Sequence, residues 1–343
     1  MKALVLQNYN EFIYKDVPNP VIKDNEVLIS VKAVGICGSD VHGMDGSTGR
    51  RIPPLIMGHE ASGEIVEVGS KVTKWSIRDR VTFDSTIYPL NDWYTLKGFY
   101  NLSNNRQVLG VSTSEYKRNG AFAEYIAVPE HILYKIPNKV SFEEAAMVEP
   151  VAVAAHALSL SNTELNNNIL VVGSGMIGSL LINLLKLSGA GKIIAVDTDN
   201  QKSEMAKKYG ADYFINPQIN NLKDIVSGLT YGRGVDQSYE AVGNNAAINI
   251  AILNTRRGGA VTLIGNVSPN VEIPLQHVVT NQIRLQGSCA ICGEYETVLS
   301  LMENQKIDVK PLISKIAPLD QGAEWLKRLY NKEKGLNKVI LVP

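Results

Sequence analysis

The sequence predicts an α/β protein in two parts. One is a β-rich domain over residues 1–150, completed by residues 291–343; the other is a doubly wound, six-stranded parallel sheet over residues 151–290. Three observations lead there. Up to about Val148 the chain reads as strands, turns and long polar loops. After Glu149-Pro150, short apolar strands alternate with segments of 3.6-residue period. Between the first two of those strands lies Gly173-Ser174-Gly175-Met176-Ile177-Gly178, leading into an amphipathic helix. The length of 343 residues agrees with about two domains.

Composition narrows the class. The chain is 45% hydrophobic and 20% charged, as expected of a globular protein. Lys+Arg 34 balances Asp+Glu 34, so no overall positive field exists to hold nucleic acid or an anionic membrane. Three cysteines, an odd number, do not make a disulfide framework, and a reducing, cytoplasmic setting is expected. The apolar run at residues 3–6 is too short for a signal-peptide core, and no run of about 18 apolar residues occurs, because Lys186, Glu149 and His156 interrupt the longest stretches.

Taken in order, residues 3–6 read as a first strand, followed by strands over 27–34, 62–69, 80–83 and 122–128, with a polar loop over 86–105. The second part carries strands over 169–173, 192–197, 213–216, 235–242, 260–265 and 283–288. Ile177, Leu180, Leu181, Leu184 and Leu185 fall on one helical face, and residues 204–209 and 246–254 are further helices. The tail predicts helices over 295–305 and 321–331 and a closing strand over 338–342 that returns to the first domain.

The glycine-rich turn has the context of a dinucleotide site. Gly173 permits the tight turn, Gly175 lets a pyrophosphate approach the backbone, and Gly178 lets helix and strand pack closely. The phosphate would rest on the free N–H groups at Met176 and Ile177, where the helix begins. Asp197 ends the second strand about 20 residues on, where a carboxylate accepts from ribose hydroxyls and repels a 2′-phosphate, favouring NAD over NADP. Lys202 lies close enough to reach the same ribose, or stands as a solvated lysine.

The first part contains Cys37-Gly38-Ser39-Asp40-Val41-His42 and Gly58-His59-Glu60. Thiolate, imidazole and carboxylate are zinc donors, and a catalytic zinc takes three protein ligands and leaves one position open. Spacing by itself leaves a packed cysteine and a core histidine as the alternative. GICGSDVH, GHEASGEIVEVGSKV, AAMVEP and GSGMIG, in this order, resemble the zinc-dependent medium-chain alcohol/polyol dehydrogenases over essentially the whole chain. Within that family the sequence is most similar to the sorbitol and galactitol-1-phosphate dehydrogenases.

The resemblance implies a GroES-like catalytic domain and a Rossmann domain. It makes Cys37, His59 and Glu60 the catalytic zinc ligands and places Glu149 where alcohol dehydrogenases have a second cysteine ligand, leaving open which carboxylate touches the metal directly. It places Ser288, Cys289 and Ala290 beside the nicotinamide, and the turns at Val242 and at Ile264-Gly265-Asn266 aim the ring. It implies a homodimer or homotetramer paired through the sixth strand. Residues 85–98, which match the lobe that holds a second, structural zinc in many members, contain no cysteine, so one catalytic zinc and no structural zinc is expected. Ser39 and then His42 would relay the proton outward.

The expected reaction moves a hydride from a secondary alcohol of a small polyol or sugar-alcohol phosphate to NAD, giving a ketose or its phosphate. Arg50-Arg51 and Lys117-Arg118 are candidates to clamp a phosphate. Cys289 and Cys292 read as packing residues. The rivals are a zinc-free NADPH quinone or enoyl reductase of the same superfamily, a threonine dehydrogenase, and a non-enzymatic nucleotide sensor.

Overall fold

A computed structural model describes residues 1–343. The chain forms two compact units, one of Met1–Glu149 with Ile291–Pro343 and one of Pro150–Ala290.

The first unit is built on a seven-stranded sheet. Its path runs through Leu133–Lys135, Arg80–Phe83, Glu60–Val68, Glu26–Gly35, Lys338–Val342 and Ile313–Pro318, with Tyr125–Pro129 also pairing on Glu26–Gly35. The neighbours are antiparallel except Ile313–Pro318 beside Lys338–Val342. Glu26–Gly35 is the hub, and its Val27, Ile29, Val31 and Val34 enter a core with Leu4, Phe83 and Phe122. The closing strand Lys338–Val342 brings the end of the chain against Gly35, where the Cys37 segment begins. A small sheet of Lys2–Asn8, Glu11–Asp16 and Leu55–Ile56 completes the unit.

In the second unit six parallel strands are ordered Tyr213–Ile215, Ile193–Val196, Ile169–Val172, Val235–Glu240, Thr255–Leu263 and Arg284–Gly287. The expected doubly wound sheet is therefore present, and its order reverses beside Ile169–Val172, the place where such sheets bind ligands. Ile169–Val172 is buried throughout, which is why it reads as an unbroken apolar run.

Several elements differ from the sequence reading. The fifth strand starts at Thr255, because its first half, Thr255-Arg256-Arg257-Gly258-Gly259, is polar and gives no apolar signal. Leu222–Leu229 and Leu275–Thr280 are additional short helices, the first capped by Asn221. Val148–Ser159 is a helix although Pro150 lies in its first turn, a position that proline tolerates. The 86–105 loop contains a helical turn, Trp93–Leu96, capped by Asp92. No helix is long and apolar enough to cross a membrane.

Candidate functional site

The strand Glu26–Gly35 ends where the helix Gly38–Gly43 begins, and Cys37 caps that helix, its Sγ accepting from Ser39 N–H. His59 and Glu60 arrive on the neighbouring segment, Glu60 opening the strand Glu60–Val68 opposite Gly35. One ligand atom each from Cys37, His59 and Glu60 lies within 4.8 Å of the others, so these three sequence candidates are brought together. His59 and Glu60 are buried, and Cys37 is half-buried. Glu149 is not a member of that group.

Around these donors stand Asp40, Arg51 and Lys338, none of which the sequence analysis placed beside them. Asp40 is fully buried and works with both oxygens: Oδ2 accepts from Cys37 N–H at 3.3 Å, while Oδ1 lies 3.1 Å from Arg51 Nη2 and 3.5 Å from His59 Nδ1. Burial alone would raise the Asp40 carboxyl, but His59 and Arg51 outweigh it and hold it at about 2. Burial likewise opposes charge on His59, yet Asp40 and Cys37 overcome it and raise its pKa well above the ordinary histidine value. Lys338, also buried, places Nζ 2.5 Å from Glu60 Oε2 and 3.1 Å from Ile36 O. Desolvation works against its ammonium, but Glu60 and Cys37 leave its pKa above that of a free lysine. A lone lysine heading the apolar run 338–342 is a sequence sign of its burial, but not of its partner.

Glu149 is partly exposed, and desolvation pushes its carboxyl upward, opposed by His59 and reinforced by Glu60. Ser39 and His42 are both exposed; Ser39 Oγ accepts from Arg51 Nη2 at 3.2 Å. The structure corrects one expectation. Arg51 is 4% exposed and committed to Asp40, so it is not free to clamp a substrate phosphate, whereas Arg50 is exposed. Arg118 is held by Gln107.

The donor set fits zinc on its own chemistry. The three donors are of types that zinc prefers, in reach of one ion, and His59 turns Nδ1 to a carboxylate as metal-bound histidines do.

In the second unit the turn Gly173–Gly178 joins Ile169–Val172 to the helix Met176–Leu187. Asp197 Oδ2 accepts from Ser174 N–H at 2.8 Å, which ties the end of the second strand to the glycine turn, and Lys202 Nζ lies 3.0 Å from the same oxygen. A Cβ at Gly175 would meet no protein atom within 4 Å, so the turn has open space on that side. Ser174 Oγ and Ser288 Oγ are buried without partners, donors left for a polar ligand. Glu240, missed by the sequence analysis, accepts from Val242 N–H and Gly243 N–H at 2.8 Å each and fixes that turn against Gly265 and Asn266. Cys289 and Cys292 fall in different units, and Cys292 Sγ lies 3.0 Å from Gly98 O.

A family model described as "Alcohol dehydrogenase GroES-like domain" matches residues 23–138, and one described as "Zinc-binding dehydrogenase" matches residues 177–304. The chain belongs to the zinc-binding alcohol dehydrogenase family. The sorbitol dehydrogenase of Bacillus subtilis is 34% identical to it over 348 residues, covering 100% of this chain and 97% of that one. The D-arabitol-phosphate dehydrogenase of Enterococcus avium is 32% identical over 321 residues, 92% of this chain and 90% of the relative. The crystal structure of galactitol-1-phosphate dehydrogenase from Escherichia coli superposes with a TM-score of 0.92 at 26% identity, covering 100% of both chains. Membership makes zinc and a nicotinamide dinucleotide the groups this fold is built to use.

Proposed function

We propose that this family member is an NAD-dependent zinc dehydrogenase of polyols or polyol phosphates, oxidising a secondary alcohol to a ketose or ketose phosphate. The observation that carries the reading is the Cys37, His59 and Glu60 donor group within 4.8 Å. Relatives named as sorbitol, D-arabitol-phosphate and galactitol-1-phosphate dehydrogenases support the polyol class.

Cys37, His59 and Glu60 would hold one zinc ion, with Glu149 at the edge of the site. When bound, zinc supplies a Lewis acid for the substrate oxygen and the nicotinamide supplies the hydride acceptor. This chain's own residues do the rest. Ser39, with Arg51 occupying one of its lone pairs, keeps its O–H to pass a proton, and the exposed His42 is the next carrier toward water. Asp40 holds His59 in orientation, and Lys338 neutralises Glu60 through its Oε2. Gly173, Gly175, Met176, Ile177 and Gly178 would cradle the pyrophosphate. Asp197 would hold the ribose, sharing it with Lys202, and Val242, Ile264, Gly265, Asn266, Ser288, Cys289 and Ala290 would line the ring.

A second, structural zinc is not part of this proposal. In the lobe Asp92 accepts from Thr95 N–H at 2.7 Å and from Ser103 Oγ–H, a hydrogen-bonded clasp made without thiolates. A homodimer or homotetramer, working on small molecules in the cytoplasm, is the proposed assembly. Arg284–Gly287 is an edge strand with one side unpaired, and the preceding segments expose Val267, Leu275 and Val279.

The test is a panel of polyols and polyol phosphates with NAD and NADP, run with metal analysis before and after chelation. The expected result is one zinc per chain, activity lost on chelation and restored by zinc, and a higher kcat/KM with NAD. Activity that survives complete metal removal would overturn the reading in favour of a zinc-free reductase.

A further inference from the structure

Arginine at position 51 does something that its sequence neighbourhood does not announce. Its guanidinium is buried, 4% exposed, and its donors are spread over three acceptors. Nη1 donates to Arg50 O at 3.2 Å; Nη2 donates to Asp40 Oδ1 at 3.1 Å and to Ser39 Oγ at 3.2 Å. Nε is buried without a partner. The fold secures this reach from both ends. Arg51 forms a backbone bridge to Ser112, with Ser112 N–H bonded to Arg50 O at 3.1 Å. Its side chain passes so close to Gly43 that a Cβ there would stand 2.7 Å from Arg51 Cγ. Residue 43 therefore has to be small for the guanidinium to arrive.

We infer that Arg51 is a positioning residue for the zinc centre, one nitrogen holding Asp40 toward His59 while orienting the Ser39 hydroxyl. The inference rests on the zinc reading proposed above. Asp40 is the one carboxylate that touches both the Cys37 backbone and the His59 ring, so its placement sets two of the three donors together. Buried and unpaired, it would be free to swing away, and it would then stop holding the ring. A guanidinium has only donors, so Ser39 must accept from it, which leaves the serine O–H as the group pointing elsewhere. Lysine at this site would keep the charge, but a single ammonium on a shorter, rotating stem does not reproduce a planar nitrogen fixed between two oxygens.

The experiment uses the full chain and compares the wild type with Arg51→Met and Arg51→Lys. Zinc affinity is measured by competition with a chromophoric chelator, ligand geometry by the absorption bands of the cobalt-substituted protein, and turnover by kcat and KM separately. Arg51→Met is expected to loosen zinc about 10–100-fold and to shift the cobalt bands. Arg51→Lys is expected to recover most of the zinc affinity, yet to keep a lowered kcat at nearly unchanged KM, because Ser39 is no longer oriented. If Arg51→Met does not fold, the cobalt bands and the kcat split of Arg51→Lys decide. A wild type that holds zinc, with both variants equal to it in competition, cobalt spectrum and kcat, overturns the role given to Arg51 and leaves the zinc reading standing. A wild type that binds no zinc sinks both.

Discussion

Two glycines of the same turn should fail in opposite ways when each is replaced by alanine. At Gly178 a Cβ would stand 1.8 Å from Gly173 O, a backbone atom that cannot rotate aside. Ordinary Cβ contacts begin near 3.4 Å, so helix Met176–Leu187 and the turn would have to part by about 1.5 Å. Overpacking of that kind costs about 1–3 kcal/mol, which lowers Tm by roughly 2–12 °C in a unit of this size. At Gly175 the backbone is extended, with φ −72° and ψ −159°, and a Cβ would meet no protein atom within 4 Å. Gly175→Ala should therefore change stability by less than about 0.5 kcal/mol. Its methyl would instead occupy the space through which a pyrophosphate approaches the backbone, raising the Kd for NADH about tenfold or more, or about 1.4 kcal/mol. Thermal unfolding and NADH fluorescence titration of the two variants separate the effects. A Gly175→Ala protein that binds NADH like the wild type would refute the cradle, and a Gly178→Ala protein with unchanged Tm would refute the packing argument.

Two further outcomes concern stability in the first unit. Burial raises the carboxyl of Asp84, which accepts from Tyr100 Oη at 2.7 Å, from 3.8 to about 6. Between about pH 4 and 6 the folded state keeps a proton that the unfolded state has released, so stability falls as pH rises through that window, by up to about 3 kcal/mol, and is flat above it. Asp84→Asn should remove this slope, and urea-unfolding curves of variant and wild type that stay parallel from pH 4 to 7 would contradict it. Lys338→Met strands the Glu60 carboxylate in the interior and should cost about 3–5 kcal/mol, most of it recovered in the Lys338→Met/Glu60→Gln double variant. Equal loss in single and double variants would show that packing, not the ion pair, is what Lys338 provides.

The parallel sheet was legible because strands buried on both faces are continuous apolar runs, as at Ile169–Val172 and Ile193–Val196. The start of the fifth strand was not, since Thr255 to Gly259 carry no apolar pattern to read. The helix Leu222–Leu229 could have been found from Asn221, whose side chain accepts from Asp224 N–H, and the helix Phe142–Ala146 from the capping box of Ser141 and Glu144. Cys37, His59 and Glu60 stand out by residue type and motif, but what surrounds them does not. Lys338 and Glu60 meet across 278 positions of chain, and nothing local in either segment announces the other. Arg50-Arg51 looks like one cationic patch in sequence, yet the fold sends the first to solvent and the second into the core against Asp40. Local pattern marks which apolar residues are buried; it does not say which charges are buried with them or which of those are partners.

Those partners account for why this pocket suits a divalent ion in particular. Cys37, Asp40, Glu60 and Glu149 are four groups able to carry negative charge, and Arg51 and Lys338 are the two cations fixed among them, on Asp40 and Glu60 respectively. With all four ionised the cluster falls two positive charges short, and burial makes such an imbalance expensive. The titrating groups respond in that direction: His59 holds a proton more tightly than an ordinary histidine, and Glu149 is pushed toward its neutral form. A single divalent cation restores neutrality without either proton, and it does so where a thiolate, an imidazole and a carboxylate already converge. A monovalent ion would leave the cluster negative, and a second divalent ion nearby would make it positive. The sign of the charge imbalance therefore agrees with the donor types: both favour a divalent cation beside Cys37, His59 and Glu60.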